Sequence, residues 1–178
     1  MKFNSIFNWL RSTPIIRTPT MPTINPIIQL KAFRDVIAYS EGTDKPSVQP
    51  TRNRGYDVLV GGGLFNDFSR HPRILVYLPR YKIKSSAAGR YQFIRATWDA
   101  LQRRLKLPDF SPASQDAACD ELLRECGAAK LLAVGRFDDA CYAANKIWAS
   151  LPGSPYGQRT ESLAMLRTIF HDRGGVIK

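Results

Sequence analysis

The sequence predicts an α+β domain, mainly helical, with a small β-hairpin sheet beside a cleft. Three observations carry that expectation. Apolar residues recur at helical spacing over residues 26–41 and again through most of the chain beyond residue 90. Between these stretches a strand-like run, "YDVLV", breaks into a triple glycine. The length of 178 residues, with 44% hydrophobic content, suits one domain with a core. The expected organisation is an extension at 1–25 followed by one domain at 26–178.

The first residues, "MKFNSIFNWLRSTPIIRTPTMPTINP", hold four prolines, three basic residues and no acid. They read as a flexible appendage, or as a surface-binding arm, since basic and aromatic residues together favour membrane interfaces. They make a poor secretion signal, because Trp9, Arg11 and the prolines interrupt any apolar segment. Asn25-Pro26 then supplies a capping side chain and a first-turn proline, Leu30, Phe33, Val36 and Ile37 form one apolar stripe, and Gly42 stops the helix. Tyr56 to Val60, Gly61-Gly62-Gly63 and Leu64-Phe65 read as a small hairpin. The triple glycine lacks the spacing and context of a phosphate loop. Later helices are expected on the face of Ile94, Trp98, Leu101 and Leu105, after Ser111-Pro112, at "AAKLLAV", at "DDACYAANKIWA" and at "ESLAMLRTIF". Two lobes with a cleft between them follow, and no apolar run is long enough for a membrane-spanning helix.

Glu41 falls where the first helix ends and faces that cleft. The other glutamates, Glu121, Glu125 and Glu161, have ordinary helical settings. A carboxyl at a helix C-terminus in a partly apolar cleft has its pKa pushed upward, which suits a general acid for glycosidic cleavage. A structural glutamate at a helix end satisfies the same pattern. Charge narrows the partner only to a polyanion. The chain carries 26 Lys+Arg against 15 Asp+Glu, and residues 70–106 hold ten basic residues and one acid, Asp99. Nucleic acid, an anionic lipid surface and a cell wall all fit such a field. The absence of a helix-turn-helix, RRM or zinc-finger pattern argues against nucleic acid. Cys119, Cys126 and Cys141 show no metal-ligand spacing and read as free thiols; with His71 and His171 far apart, neither metal nor cofactor is expected.

Five segments carry a resemblance: "AFRDVIAYSEGTD", "TRNRGYDVLVGGGLFNDFSRHPR", "SSAAGRYQF", "FSPASQDAA" and "NKIWASLPGSPYGQ". In this order and spacing, from about Lys31 to about Phe170, the chain resembles the lambda-type phage endolysins. The resemblance implies a lysozyme-like fold, peptidoglycan glycan strands as substrate, and Glu41 as the catalytic residue of a lytic transglycosylase. It leaves the extension and the altered "YLPRYKIKSSAAG" loop unmatched. Within that frame Tyr91 and Gln92 are expected to project from a helix's first turn into the cleft, and Ser150, Tyr156 and Gln158 to line a second loop; each aromatic taken singly reads first as core, and only together do they read as binding residues. Asp57 reads as a hydrogen-bonding residue at the cleft. A hydrolytic muramidase is the alternative, with Asp44, Asp57 or Asp67 as its second carboxylate. The basic stretch would guide the enzyme onto the wall, and the extension could meet an anionic outer-membrane surface. A monomer is expected, held in the host cytoplasm until lysis and then acting in the periplasm.

Overall fold

In a computed structural model of the chain, residues 23–45, 47–157 and 159–178 are described. Helix α1 (Pro26–Ser40) starts where the capping pattern places it: Asn25 Oδ1 accepts from the backbone N–H of Ile27 at 3.0 Å, and Pro26 opens the first turn. Its buried stripe, Ala32, Phe33, Val36 and Ile37, forms the centre of the helical body. Phe33 meets Phe137 and Phe170 edge-on at 5.8 and 6.4 Å between ring centroids.

Around α1 lie α2 (Arg95–Leu105), α3 (Pro112–Glu125), α4 (Ala128–Ala133), α5 (Phe137–Ala144) and α6 (Leu163–Asp172). Trp98 and Leu101 of α2 are buried as their spacing requires, whereas Ile94 precedes the helix and stays exposed. Ser111 and Ser162 cap α3 and α6 through their hydroxyls. The helix expected to continue to Ala149 ends at Ala144. Beyond it Asn145 turns its amide onto the carbonyl of Pro152, at 3.0 Å, and residues 145–153 become the loop that reaches the cleft.

The sheet lies elsewhere than expected. Residues 56–65 make only one isolated bridge with each other, Val58 to Leu64. Their backbone groups are divided between two neighbours: Leu59 N–H donates to Gly63 O, while Val60 N–H donates to Ala87 O and Gly89 N–H to Val58 O. Asp57 and Leu59 bond Phe65 and Gly63 on one edge, and Val58 and Val60 bond Gly89 and Ala87 on the other, so the expected hairpin is present as a tight turn with a single bridge. The two-stranded antiparallel sheet is β1 (Val76–Leu78) with β2 (Ile83–Ser85), in the register Val76 to Ser85. Val76 and Leu78 alternate with exposed Tyr77, a period-two signal that the proline at 79 closes with a turn.

The basic stretch is also less open than its composition implies. Arg90 is 1% exposed and bonds Asp35 at 2.5 Å and Asp44 at 2.8 Å; Arg73 pairs with Asp99 at 2.7 Å, and Arg104 with Glu125 at 2.5 Å. Arg70, Arg80, Lys82, Lys84 and Lys106 remain exposed without an ion pair among the described residues. Gly89, at φ +79, leaves room for Gln115, whose Oε1 accepts from Arg90 N–H at 2.9 Å and whose amide nitrogen bridges Tyr56 O and Phe110 O. A side chain at 89 would strike that amide, so the bend there requires glycine. Residues 1–22 of the expected extension lie outside the described residues.

Candidate active site

Glu41 is the C-cap of α1, its N–H donating to Ile37 O at 2.8 Å. Three consecutive neighbours fix the chain as it leaves the helix. Gly42 takes φ +74, Thr43 Oγ1 lies 2.6 Å from Arg90 O, to which it donates, and 3.1 Å from Ala38 O, and Asp44 receives Arg90. The buried Arg90 cluster therefore anchors the turn that presents Glu41.

The side chain of Glu41 enters a pocket of about 330 Å³. Val60, Leu78, Tyr81 and Ile83 wall it on the sheet side; Tyr91, Gln92, Ile147, Trp148 and Ala149 wall it on the helical side. Ser150 Oγ donates to Glu41 Oε1 at 2.6 Å, and Ser40 Oγ lies 2.7 Å from Ser150 Oγ. Ser40 Oγ also lies 3.3 Å from Ile37 O, so its hydroxyl links the last turn of α1 to Ser150. Burial drives the Glu41 pKa up to about 7, against the opposing pull of the Ser150 hydrogen bond. A carboxyl so poised gives up and takes back a proton near neutrality.

The expected second carboxylates are placed otherwise. Asp44 is tied to Arg90 and lies 3.5 Å from Arg54, Asp57 accepts from the Thr51 hydroxyl and from Arg52 N–H, and exposed Asp67 accepts from Ser69 N–H at 2.8 Å. None of them lines the Glu41 pocket, where Glu41 is the one carboxylate among the described residues. Asp57 borders a different concavity. Among the described residues no cluster of His, Cys, Asp and Glu is arranged to hold a metal.

Tyr91 and Gln92 reach the pocket from the turn before α2, not from its first turn. Tyr91 is 1% exposed, its hydroxyl donating to Asp116 Oδ1 at 2.5 Å and its carbonyl accepting from Trp148 Nε1 at 3.1 Å. Gln92, at φ +51, spends its amide nitrogen on Gly89 O and Val58 O, leaving its amide oxygen free of partners within the described residues. Ser150 faces Glu41 itself. Tyr156 is 57% exposed, with its hydroxyl on Lys146 O, and does not line this pocket. Gln158 lies outside the described residues. Reading the sequence missed Tyr81, Ile83, Trp148 and Ser40. Tyr81 sits in the turn between β1 and β2 and Ile83 opens β2, whose burial does not alternate, so neither carried a local signal; nothing local pairs Ser40 with a residue 110 positions away.

A helical body, a small sheet, and one partly buried glutamate at the end of the first helix, in the cleft between them, define a lysozyme-like glycan-cleaving enzyme. The chain belongs to the endolysin family, whose model matches residues 31–177. It is 48% identical to the endolysin of Escherichia phage lambda over 150 residues, 84% of this chain and 94% of that protein. It is 44% identical to the endolysin of Escherichia phage P2 over 165 residues, 88% of this chain and 99% of that one. The solved structure of bacteriophage lambda lysozyme complexed with a chitohexasaccharide is similar with a TM-score of 0.81 at 47% identity, covering 89% of this chain and 100% of that one. The protein is thus a lysozyme-like phage endolysin, an enzyme acting on peptidoglycan.

Proposed function

We propose that this endolysin is a lytic transglycosylase in which Glu41 performs both proton transfers. The carrying observation is that Glu41 is the one carboxylate lining its pocket among the described residues. Protonated Glu41 gives its proton to the oxygen of the β-1,4 bond between N-acetylmuramic acid and N-acetylglucosamine, and the bond from that oxygen to muramoyl C1 breaks. The muramoyl C6 oxygen closes on C1 while its proton passes to the Glu41 carboxylate, regenerating the acid. A nucleophile on the same sugar has a high effective concentration, so neither water nor a second carboxylate is required. A pKa near 7 gives Glu41 access to both forms at neutral pH. The oligosaccharide in the lambda lysozyme structure supports a glycan strand in the same cleft here.

Asp57, Tyr91, Gln92, Ser150, Tyr156 and Gln158 are proposed as substrate-side residues, with Ser150 acting through Glu41. The protein works as a monomer on peptidoglycan, held in the host cytoplasm until lysis and then acting in the periplasm. The basic segment at 1–25 serves as an arm toward an anionic outer-membrane surface. Product analysis tests the chemistry. Glycan digested in ¹⁸O-water should end in unlabelled 1,6-anhydro-N-acetylmuramic acid, lighter by one water than a hydrolytic end. Labelled reducing muramoyl ends as the main product would reject transglycosylation in favour of a hydrolytic muramidase.

A further inference from the structure

A second concavity, of about 500 Å³, opens on the other side of the turn at residues 58–64. The turn separates the two spaces: Val60 faces the Glu41 pocket, while Leu64, bridged to Val58, borders the second one. Its polar rim is Arg52, Asn53 and Asn66, and its floor is Leu64, Phe65 and Phe68. Among the described residues the guanidinium of Arg52 has no carboxylate within ion-pairing distance, and the side-chain amides of Asn53 and Asn66 make no hydrogen bond. The nearby Asp57 is already occupied by the Thr51 hydroxyl and Arg52 N–H.

We infer that this concavity binds the stem peptide of peptidoglycan, beside the glycan strand held at Glu41. The inference rests on the reading that peptidoglycan is the substrate. The free guanidinium suits a carboxylate, which it can grip through two parallel hydrogen bonds. Each free carboxamide offers a donor pair and an acceptor, the complement of a peptide unit. The floor favours a peptide over a further sugar. Phe65 and Phe68 are partly buried and tilted by 52° at 5.1 Å between centroids, with Phe110 backing Phe65 at 5.9 Å. Such a floor forms an angled apolar trough for methyl and methylene groups, whereas a sugar ring stacks on an open flat face. A muramoyl unit in the cleft carries its peptide on a lactyl ether, so peptide and glycan are parts of one ligand presented together.

The test compares the full chain with an Arg52→Ala/Asn66→Ala double variant on two substrates: intact peptide-bearing sacculi, and glycan strands stripped of peptide by an amidase. On sacculi the variant should show KM raised about tenfold, the loss expected for a charge-assisted hydrogen bond and an amide contact. On stripped strands the two proteins should agree within about twofold, since neither residue borders Glu41. Unchanged kinetics on both substrates, or an equal loss on both, would overturn the stem-peptide site. Failure of the wild type to cleave either substrate would instead count against the enzymatic reading. The peptide site is then judged by calorimetric titration with isolated stem peptide: binding that the double variant loses supports it, and no binding at millimolar peptide rejects it.

Discussion

Ser150 Oγ donates a 2.6 Å hydrogen bond to Glu41 Oε1, joining the end of α1 to the loop beyond α5 across 109 residues. The contact fixes one oxygen of the carboxyl and leaves the other to reach the substrate. It also opposes the upward push of burial on the pKa, so geometry and proton affinity are set by the same bond.

Replacing Glu41 by Gln removes the proton donor while keeping shape and the Ser150 contact. Wall-lysing activity should fall at least a hundredfold, since general-acid steps contribute on the order of 10²–10⁴. Turbidity clearing of chloroform-treated Gram-negative cells measures it, with circular dichroism as the check on folding. Lysis within tenfold of wild type would remove Glu41 from the mechanism.

The same variant carries a stability signature. The folded-state pKa of Glu41 is raised from 4.5 to about 7, so its contribution to stability is fully present below the unfolded value and is lost as pH rises through about 7. Gln titrates nowhere in that range. The melting temperature of Glu41→Gln relative to wild type should therefore climb between about pH 5 and pH 8; a constant difference would show that the carboxyl is not perturbed by the fold.

Ser150→Ala removes the bond that favours the ionised carboxyl. The Glu41 pKa should rise further, and the alkaline limb of the pH–rate profile, where the acid is lost, should move upward by about one unit. Initial rates over a pH series are the measurement. A limb that stays in place or moves to lower pH would show that this hydroxyl does not tune Glu41.

Arg90→Met leaves Asp35 and Asp44 without their closest cation in a buried setting. Removing one partner of such a cluster costs about 3–5 kcal/mol. The urea midpoint should fall accordingly with an unchanged m-value. A loss below about 1 kcal/mol would mean that Arg54, 3.0 Å from Asp35 and 3.5 Å from Asp44, and Arg173, 3.9 Å from Asp35, suffice without it.

Much of this molecule was legible in the chain, because the signals concerned are local. Helix α1 begins at Asn25-Pro26 and ends at Glu41-Gly42 as the sequence reads, since capping and left-handed turns involve residues within four positions of each other. The placement of Glu41 at a helix end, and the family motifs around it, belong to that local layer. Tertiary structure alone decided the rest. The run at 56–60 kept only a short hairpin, with Asp57 and Leu59 bonded to Phe65 and Gly63 and the opposite edge taken by Ala87 and Gly89, and the longer ladder formed at 76–85. Arg90 became a buried anchor and Asp44 its partner only once α1 and the bend at Gly89 packed together. Ser150 became the partner of Glu41 for the same reason: helical period and capping act over single turns of chain, whereas a side-chain hydrogen bond across a cleft exists only after packing brings donor and acceptor atoms from distant segments within about 3 Å.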